Sequence, residues 1–245
     1  MSGVMIVTGG GRGIGAATAR LAAARGYAVC VNYRRDRAAA EQLAREIGAG
    51  AIAVAGDVAE EADVLRLFET VDRELGPVTA LINNAGIVDT ATRVEAISPA
   101  RLQRMFAVNV FGSFLCAREA VKRMSRKRSG RGGAIVNLSS IAARLGGAGE
   151  YVDYAAAKGA IDTFTVGLAK EVGPEGIRVN AVRPGIIRTE IHRSSGDPGR
   201  LERIGATAPL GRPGEAEEVA RVIVWLASEE ASYMSGALVD VSGGR

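Results

Sequence analysis

Tyr154-Ala155-Ala156-Ala157-Lys158 sets a phenol and an ammonium four positions apart, which on a helix puts them one turn apart on the same face. A free tyrosine titrates at about pH 10 and is a poor acid or base at neutrality, but a fixed cation beside it favours the phenolate and lowers its pKa. The pair has the makings of a general acid/base. A second feature is Thr8-Gly9-Gly10-Gly11-Arg12-Gly13-Ile14-Gly15, which follows an apolar run and opens an amphipathic one. Bare backbone amides at the positive end of a helix suit a pyrophosphate. The spacing is Thr-Gly-x-x-x-Gly-x-Gly, neither the Gly-x-Gly-x-x-Gly fingerprint nor a P-loop, because no Lys-Ser/Thr pair follows.

These groups need elements to hold them. Short β-branched runs at 4–8, 28–33, 51–55, 80–83, 134–138, 178–182 and 238–241 read as strands. Between them, 13–25, 36–47, 60–75, 99–125, 151–172 and 215–228 have helical periodicity, with Ser98-Pro99 as a start signal and Gly173-Pro174 as a stop. Alternating strands and crossover helices predict an α/β fold: a doubly wound, seven-stranded parallel sheet with helices on both faces, in three layers, whose ligands sit beyond the strand C-termini. The 245 residues are expected to form one domain. The irregular stretch at about 186–214 is expected to be a substrate lid.

Composition narrows the classes. With 47% apolar and 24% charged residues the chain is neither disordered nor collagen-like. Glycine is frequent, 32 of 245, so the backbone turns tightly or approaches something closely in many places. Lys122, Arg123, Arg126, Lys127, Arg128 and Arg131 lie in one stretch without an acid and exceed the net charge of +4 on their own. The chain is thus locally basic, which suits a solvated loop at a helix C-terminus, whereas a nucleic-acid site would show aromatic platforms or wider basicity. Cys30 and Cys116, both in apolar surroundings, suggest no disulfide or metal site. No leader pattern or membrane-length apolar run is present, so a soluble, cytoplasmic protein is expected.

The turn and the Tyr-x-x-x-Lys pair are joined by Asp57-Val58, Asn83-Asn84-Ala85-Gly86, Asn109, Ser139-Ser140 and Pro184-Gly185 in order along the chain. Together they resemble the short-chain dehydrogenase/reductase family in its compact branch, from Val4 to Gly244. The stretch 150–158 and the end Val239-Asp240-Val241-Ser242-Gly243-Gly244 are similar to 3-oxoacyl carrier-protein reductases and sugar dehydrogenases. The resemblance implies a Rossmann-type NAD(P)-binding domain and an oxidoreductase that interconverts a ketone and a secondary alcohol. In it Tyr154 moves the proton, Lys158 binds the nicotinamide ribose and lowers the tyrosine pKa, Ser140 holds the substrate oxygen, and Asn109 keeps a water in a relay towards Lys158. The cofactor contacts implied are Gly9, Gly11, Arg12, Gly13, Ile14 and Gly15 at the pyrophosphate, with Asp57 and Val58 at the adenine. Asn84, Ala85 and Gly86 fall at the ribose, and Pro184, Gly185, Ile187 and Thr189 towards the carboxamide, together with Tyr154 and Lys158.

Ser140 precedes Tyr154 by fourteen residues, one more than the commonest family spacing, and the extra residue falls in Gly146-Gly147-Ala148-Gly149. The resemblance favours Ser140 over Ser139, because Ser140 takes the family position three residues after Asn137. Tyr151 is followed four positions on by Ala155 and lacks a lysine partner. His192 is set aside, since Tyr154 already supplies the proton.

NAD-preferring relatives carry an acid at the end of the second strand; here Tyr33 stands there, followed by Arg34 and Arg35. Arg12 and Arg34 are expected to pair with a 2′-phosphate, favouring NADP(H), with Asp36 as a nearby acid. The small residues Ala155, Ala156, Gly159 and Ala160, with Phe106 and Phe114, and the family's habit of pairing these helices, imply a homotetramer or homodimer. The partners expected are a small carbonyl or alcohol substrate, with no nucleic acid and no membrane. Two alternatives stand beside this reading: an NAD-dependent alcohol or sugar dehydrogenase, and a catalytically silent nucleotide-binding sensor or scaffold.

Overall fold

Seven apolar runs pair side by side as β1 (Val4–Val7), β2 (Ala28–Tyr33), β3 (Ala51–Ala55), β4 (Val78–Asn83), β5 (Gly133–Leu138), β6 (Ile177–Pro184) and β7 (Leu238–Val241). Their order is β3-β2-β1-β4-β5-β6-β7 and every pairing is parallel. The computed structural model describes residues 3–48, 50–190 and 199–245. Helices α1 (Gly13–Ala24), α2 (Arg37–Ile47), α3 (Glu61–Glu74), α4 (Pro99–Phe106), α5 (Gly112–Met124), α6 (Ala142–Leu145), α7 (Val152–Val172), α8 (Arg200–Gly205) and α9 (Ala216–Ala227) make the connections. Alternate strand residues face opposite layers. Met5 and Val7 pack with α1, α2 and α9, whereas Val4 and Ile6 pack with α3, α5 and α7.

The chain reverses direction across the sheet between β1 and β4, so their C-terminal ends diverge and leave a crevice there. Thr8 closes its floor: its hydroxyl donates to Ile82 O at 3.2 Å and accepts from the backbone N–H groups of Asn84 and Ala85, each at 3.0 Å. Deeper in the sheet, Asn83 Nδ2 donates to Asn137 Oδ1 at 2.9 Å, and Asn137 Nδ2 to Thr165 Oγ1 on α7 at 2.9 Å. This buried polar chain fixes β4, β5 and α7 relative to one another.

The helix expected over 99–125 runs continuously from Pro99 to Met124 but changes register in its middle. Residues Ala107–Phe111 form a π-turn between α4 and α5. Asn109 supplies the cause, because its side-chain Nδ2 donates to Met105 O at 3.0 Å and competes with the backbone for that carbonyl. Two short helices, α6 and α8, lie where irregular chain was expected. The base of the 186–214 stretch is tied by Arg188 N–H to Gly214 O at 2.8 Å and Gly214 N–H to Ile186 O at 2.9 Å. Residues 191–198, His192 among them, lie outside the described residues.

The basic stretch is not the purely solvated loop expected of it. Lys122 and Arg123 reach the buried Glu119 at 2.8 and 3.0 Å, Arg123 also meets Asp72 at 2.6 Å, and Lys127 meets Glu175 at 3.0 Å. These acids come from other elements or from earlier on α5, which a scan of the stretch itself misses. The cluster precedes β5, at the end of the sheet away from the crevice.

Replacing Asn137 with alanine strips the buried Asn83 amide of its side-chain acceptor and is expected to lower unfolding free energy by about 1–3 kcal/mol. Denaturant titration with an unchanged slope checks this.

Candidate active site

The ends of β1, β2, β4, β5 and β6 open into one cavity of about 740 Å³. It brings together Gly9, Gly11, Arg12, Gly13, Ile14, Arg34, Asp57, Val58, Asn84, Ala85, Gly86, Ser140, Tyr154, Lys158, Pro184, Gly185, Ile187 and Thr189. Gly15 and Asn109 stand just behind its wall. A Cβ on Gly15 would lie 2.6 Å from Asn84 Nδ2 and 2.7 Å from Gly9 O, so this position allows the turn to fold onto β4's exit.

The turn fits a pyrophosphate. α1 starts without a side-chain cap bond and without an acid in its first turn, so its leading N–H groups and positive end keep their capacity for an anion. Gly9 and Gly13 adopt φ of +59° and +54°, which a side chain would strain. Asn84 Nδ2 donates to Thr8 O at 2.8 Å and Gly9 O at 3.1 Å, and Asn32 Oδ1 accepts from Gly9 N–H at 3.3 Å. Asn32 itself is held by Val54 O and Gly56 O at 3.3 and 3.0 Å. Sequence reasoning missed Asn32; its signal is a polar residue inside the otherwise apolar run of β2.

At the other end, β5 delivers Ser139 and Ser140 and α7 delivers Tyr154 and Lys158. Both serines border the cavity, but Ser139 is buried and its Oγ donates to Lys158 O at 3.1 Å, which makes it a brace and leaves the Ser140 hydroxyl for a ligand. Ser140 Oγ accepts the Ala142 N–H at 3.1 Å and faces the Tyr154 phenol closely enough to favour its ionised form. Lys158 is buried, with Nζ donating to Leu138 O at 2.6 Å and lying 5.6 Å from the centre of the Tyr154 ring. A Cβ on Gly86 would stand 2.8 Å from Asn109 Oδ1 and 3.6 Å from Lys158 Nζ, so glycine is what lets the chain pass between them. Asn109 spends its side chain on Ile87 N–H and O, at 3.2 and 3.0 Å, and on Met105. Here it clamps the segment after β4.

The electrostatics differ from the expectation that Lys158 lowers the tyrosine. Burial dominates both groups: it pushes Tyr154 up to about 12, against the lowering effect of the Ser140 hydroxyl, and brings Lys158 down to about 8, against the Asp162 carboxylate one turn on. Asp162 belongs to a charge chain: its Oδ2 accepts from Arg183 Nη2 at 2.8 Å, Arg183 lies 3.5 Å from Asp240, and Asp240 pairs with Arg144 of α6. Its residues are scattered through the sequence, so spacing gave no sign of it.

Beside the glycine turn, at the ends of β2 and β3, Arg34 Nε meets Asp57 Oδ2 at 2.6 Å while half of its side chain stays exposed. Asp36, the nearby acid, accepts the Ala39 N–H at 3.0 Å and caps α2. Among the described residues no cluster suited to a metal ion occurs, and no helix is long and apolar enough to cross a membrane.

A family model described as Enoyl-(Acyl carrier protein) reductase matches residues 9–245. The chain is 52% identical to the uncharacterised oxidoreductase YgfF of Escherichia coli K12, over 99% of both chains. It is 39% identical to a 3-oxoacyl-[acyl-carrier-protein] reductase of Synechocystis, covering 98% of this chain and 96% of that one. The crystal structure of a Brucella melitensis 3-ketoacyl-(acyl-carrier-protein) reductase complexed with NADH superposes with a TM-score of 0.92 at 33% identity, over 99% of this chain and 97% of that one. With the glycine turn, the Ser140, Tyr154 and Lys158 cluster and the nucleotide-sized crevice between them, these matches place the chain in the short-chain dehydrogenase/reductase family, as a nicotinamide-nucleotide-binding oxidoreductase.

Proposed function

We propose that the protein is an NADP(H)-dependent oxidoreductase that interconverts a ketone and a secondary alcohol. One observation carries this reading: Ser140 and Tyr154 meet in the cavity whose other end is the glycine turn, with Lys158 buried behind them. When bound, the nicotinamide supplies or accepts the hydride. Ser140 receives the Ala142 N–H and so presents its own O–H to the substrate oxygen. Tyr154, protonated at neutral pH, gives its proton to the alkoxide that develops on that oxygen, and the Lys158 ammonium steadies the phenolate left behind. In the alcohol-oxidising direction the same proton returns to Tyr154.

The substrate wall is largely apolar, with Val88, Ile141, Leu145 and Ile186 beside Tyr151 and Glu150. A panel of ketones, quinones, sugars and 3-oxoacyl thioesters with NADPH defines the substrate. Tyr154→Phe is expected to reduce turnover by about 10²–10⁴-fold. Turnover that survives this substitution sinks the mechanism, whereas nucleotide binding by the unaltered protein without turnover of any member of the panel decides for the silent-binder alternative.

Lys158 keeps its charge below about pH 8 and loses it above, so kcat/KM for reduction is expected to fall as pH rises through about 8. The Asp162 carboxylate holds that pKa up, and Asp162→Asn moves the limb to lower pH. A limb that stays in place shows that another group controls it.

The nucleotide preference rests on Arg12 and Arg34 at the cavity wall and on the engagement of Asp36 as a helix cap. A charge-assisted hydrogen bond to the 2′-phosphate contributes about 1.5–3 kcal/mol, so NADPH is expected to exceed NADH in kcat/KM and the Arg12→Ala/Arg34→Ala pair to erase the difference. The Arg34 to Asp57 ion pair, which occupies one face of that guanidinium, favours the second reading, an NAD-dependent alcohol or sugar dehydrogenase. Higher kcat/KM with NADH in the unaltered protein decides for it. The exposed rings of Phe111 at the end of the π-turn and Phe114 on α5 support self-association, as a homotetramer.

A further inference from the structure

The helix that carries Tyr154 begins poorly for a catalytic element. α7 starts at Val152, its N-cap Tyr151 makes no side-chain cap bond, and Tyr154 sits in the first turn, where backbone N–H groups lack helical partners. In the preceding segment Gly146, Gly147 and Gly149 all take positive φ, at 77°, 64° and 75°. The longer spacing between Ser140 and Tyr154 falls in this same segment.

Two buried charges answer that weakness. Asp153 Oδ1 accepts the Tyr154 N–H at 2.9 Å. The same carboxylate takes Arg101 Nε at 2.7 Å and Nη2 at 3.2 Å from α4, and Arg101 Nη1 donates to Thr90 O at 2.7 Å. Side-chain exposure is 0% for Asp153 and 10% for Arg101. Thr90 belongs to the segment after β4, whose earlier residues Ile87 and Val88 line the cavity. One guanidinium thus joins α4, the substrate-side wall and the first turn of α7. A buried ion pair is a poor stabiliser compared with apolar packing of the same volume, whereas a planar fork of donors fixes distance and angle.

We propose that Arg101 and Asp153 are positioning residues for the reaction: they hold the Tyr154 backbone, and with it the phenol opposite Ser140, and they set the 87–92 wall against the substrate. Neither lines the cavity, so they act through Tyr154 and this wall; the inference rests on Tyr154 as the proton carrier.

The test uses the full chain with Arg101→Lys, with the double variant Arg101→Met/Asp153→Leu, and with Tyr154→Phe as reference. Replacing both partners by apolar residues avoids the unpaired buried charge that either loss alone would leave. Three quantities are read: kcat for NADPH-dependent reduction of phenanthrenequinone and ethyl acetoacetate, amide hydrogen exchange over 151–158, and the Kd of the 2′-phosphorylated adenosine fragment of NADP. The fragment touches neither Tyr154 nor Lys158 and so reports the far end of the site. In the double variant kcat is expected to fall about 10–100-fold, exchange over 151–158 to quicken, and the fragment Kd to stay within about twofold. Arg101→Lys is expected to lie between, because an ammonium keeps the charge without the fork. Unaltered exchange over 151–158 in the double variant overturns the proposal even if neither probe is turned over. So does a kcat within about twofold of the unaltered protein, or a loss of fragment affinity in step with kcat, which marks general loosening. Full kcat in these variants beside an inactive Tyr154→Phe sinks the positioning role alone; turnover surviving in Tyr154→Phe sinks the assignment of the phenol.

Discussion

Lys158 carries an ammonium into the protein interior, and much of the site is built around that cost. A buried charge without partners costs several kcal/mol, so Nζ takes Leu138 O at the exit of β5 and the Asp162 carboxylate lies one turn further along α7. The bond to Leu138 O locks α7 onto the strand that delivers Ser140, and Ser139 adds a second tie by donating to Lys158 O. The spacing of phenol, hydroxyl and ammonium is therefore a consequence of how one charge is accommodated. Burial still wins over these partners in part, which is why Lys158 titrates lower than a free lysine and Tyr154 higher than a free phenol.

The nucleotide end meets a different constraint. A turn with bare amides has to be held open without filling the space in front of it. Side chains from behind do this: Thr8, Asn32 and Asn84 take the backbone groups of the turn and of β4's exit, and none needs to protrude into the pyrophosphate cradle. Glycine at 9, 13 and 15 then serves three separate needs, two of positive φ and one of close approach. Of the many glycines in the chain, those at the site are explained by contact geometry, and others such as Gly48 and Gly76 have open space where a Cβ would stand and serve helix ends and turns.

Charge is distributed by partner rather than by stretch. The run from Lys122 to Arg131, conspicuous in the sequence, has Lys122, Arg123 and Lys127 neutralised by Glu119, Asp72 and Glu175, at the end of the sheet remote from the crevice. Arg34, inconspicuous in the total, lies on the cavity wall with Asp57. The chain from Asp162 through Arg183 and Asp240 to Arg144 runs from the buried lysine to the helix that follows Ser140.

The amino-acid sequence by itself determined the alternation of parallel strands and helices and picked out the glycine turn and the Tyr154 and Lys158 pair that border the cavity, because both are written in local patterns: apolar periodicity, closely spaced glycines, and two side chains one helical turn apart. Ser140 is preferred to Ser139 by the family position three residues after Asn137, and in the structure Ser139 Oγ is engaged by Lys158 O. Element ends were less legible, since β4, β5 and β6 extend as far as neighbouring strands offer partners, and the π-turn at Asn109 depends on a competition for Met105 O. Only the tertiary structure decided which way the pKa values move, that Asn32 supports the turn, that Asp36 is spent as a cap, and that Arg101 meets Asp153. Those outcomes rest on burial and on partners far apart in the chain, and neither the depth of a group nor a contact across 52 positions leaves a periodic mark in the sequence.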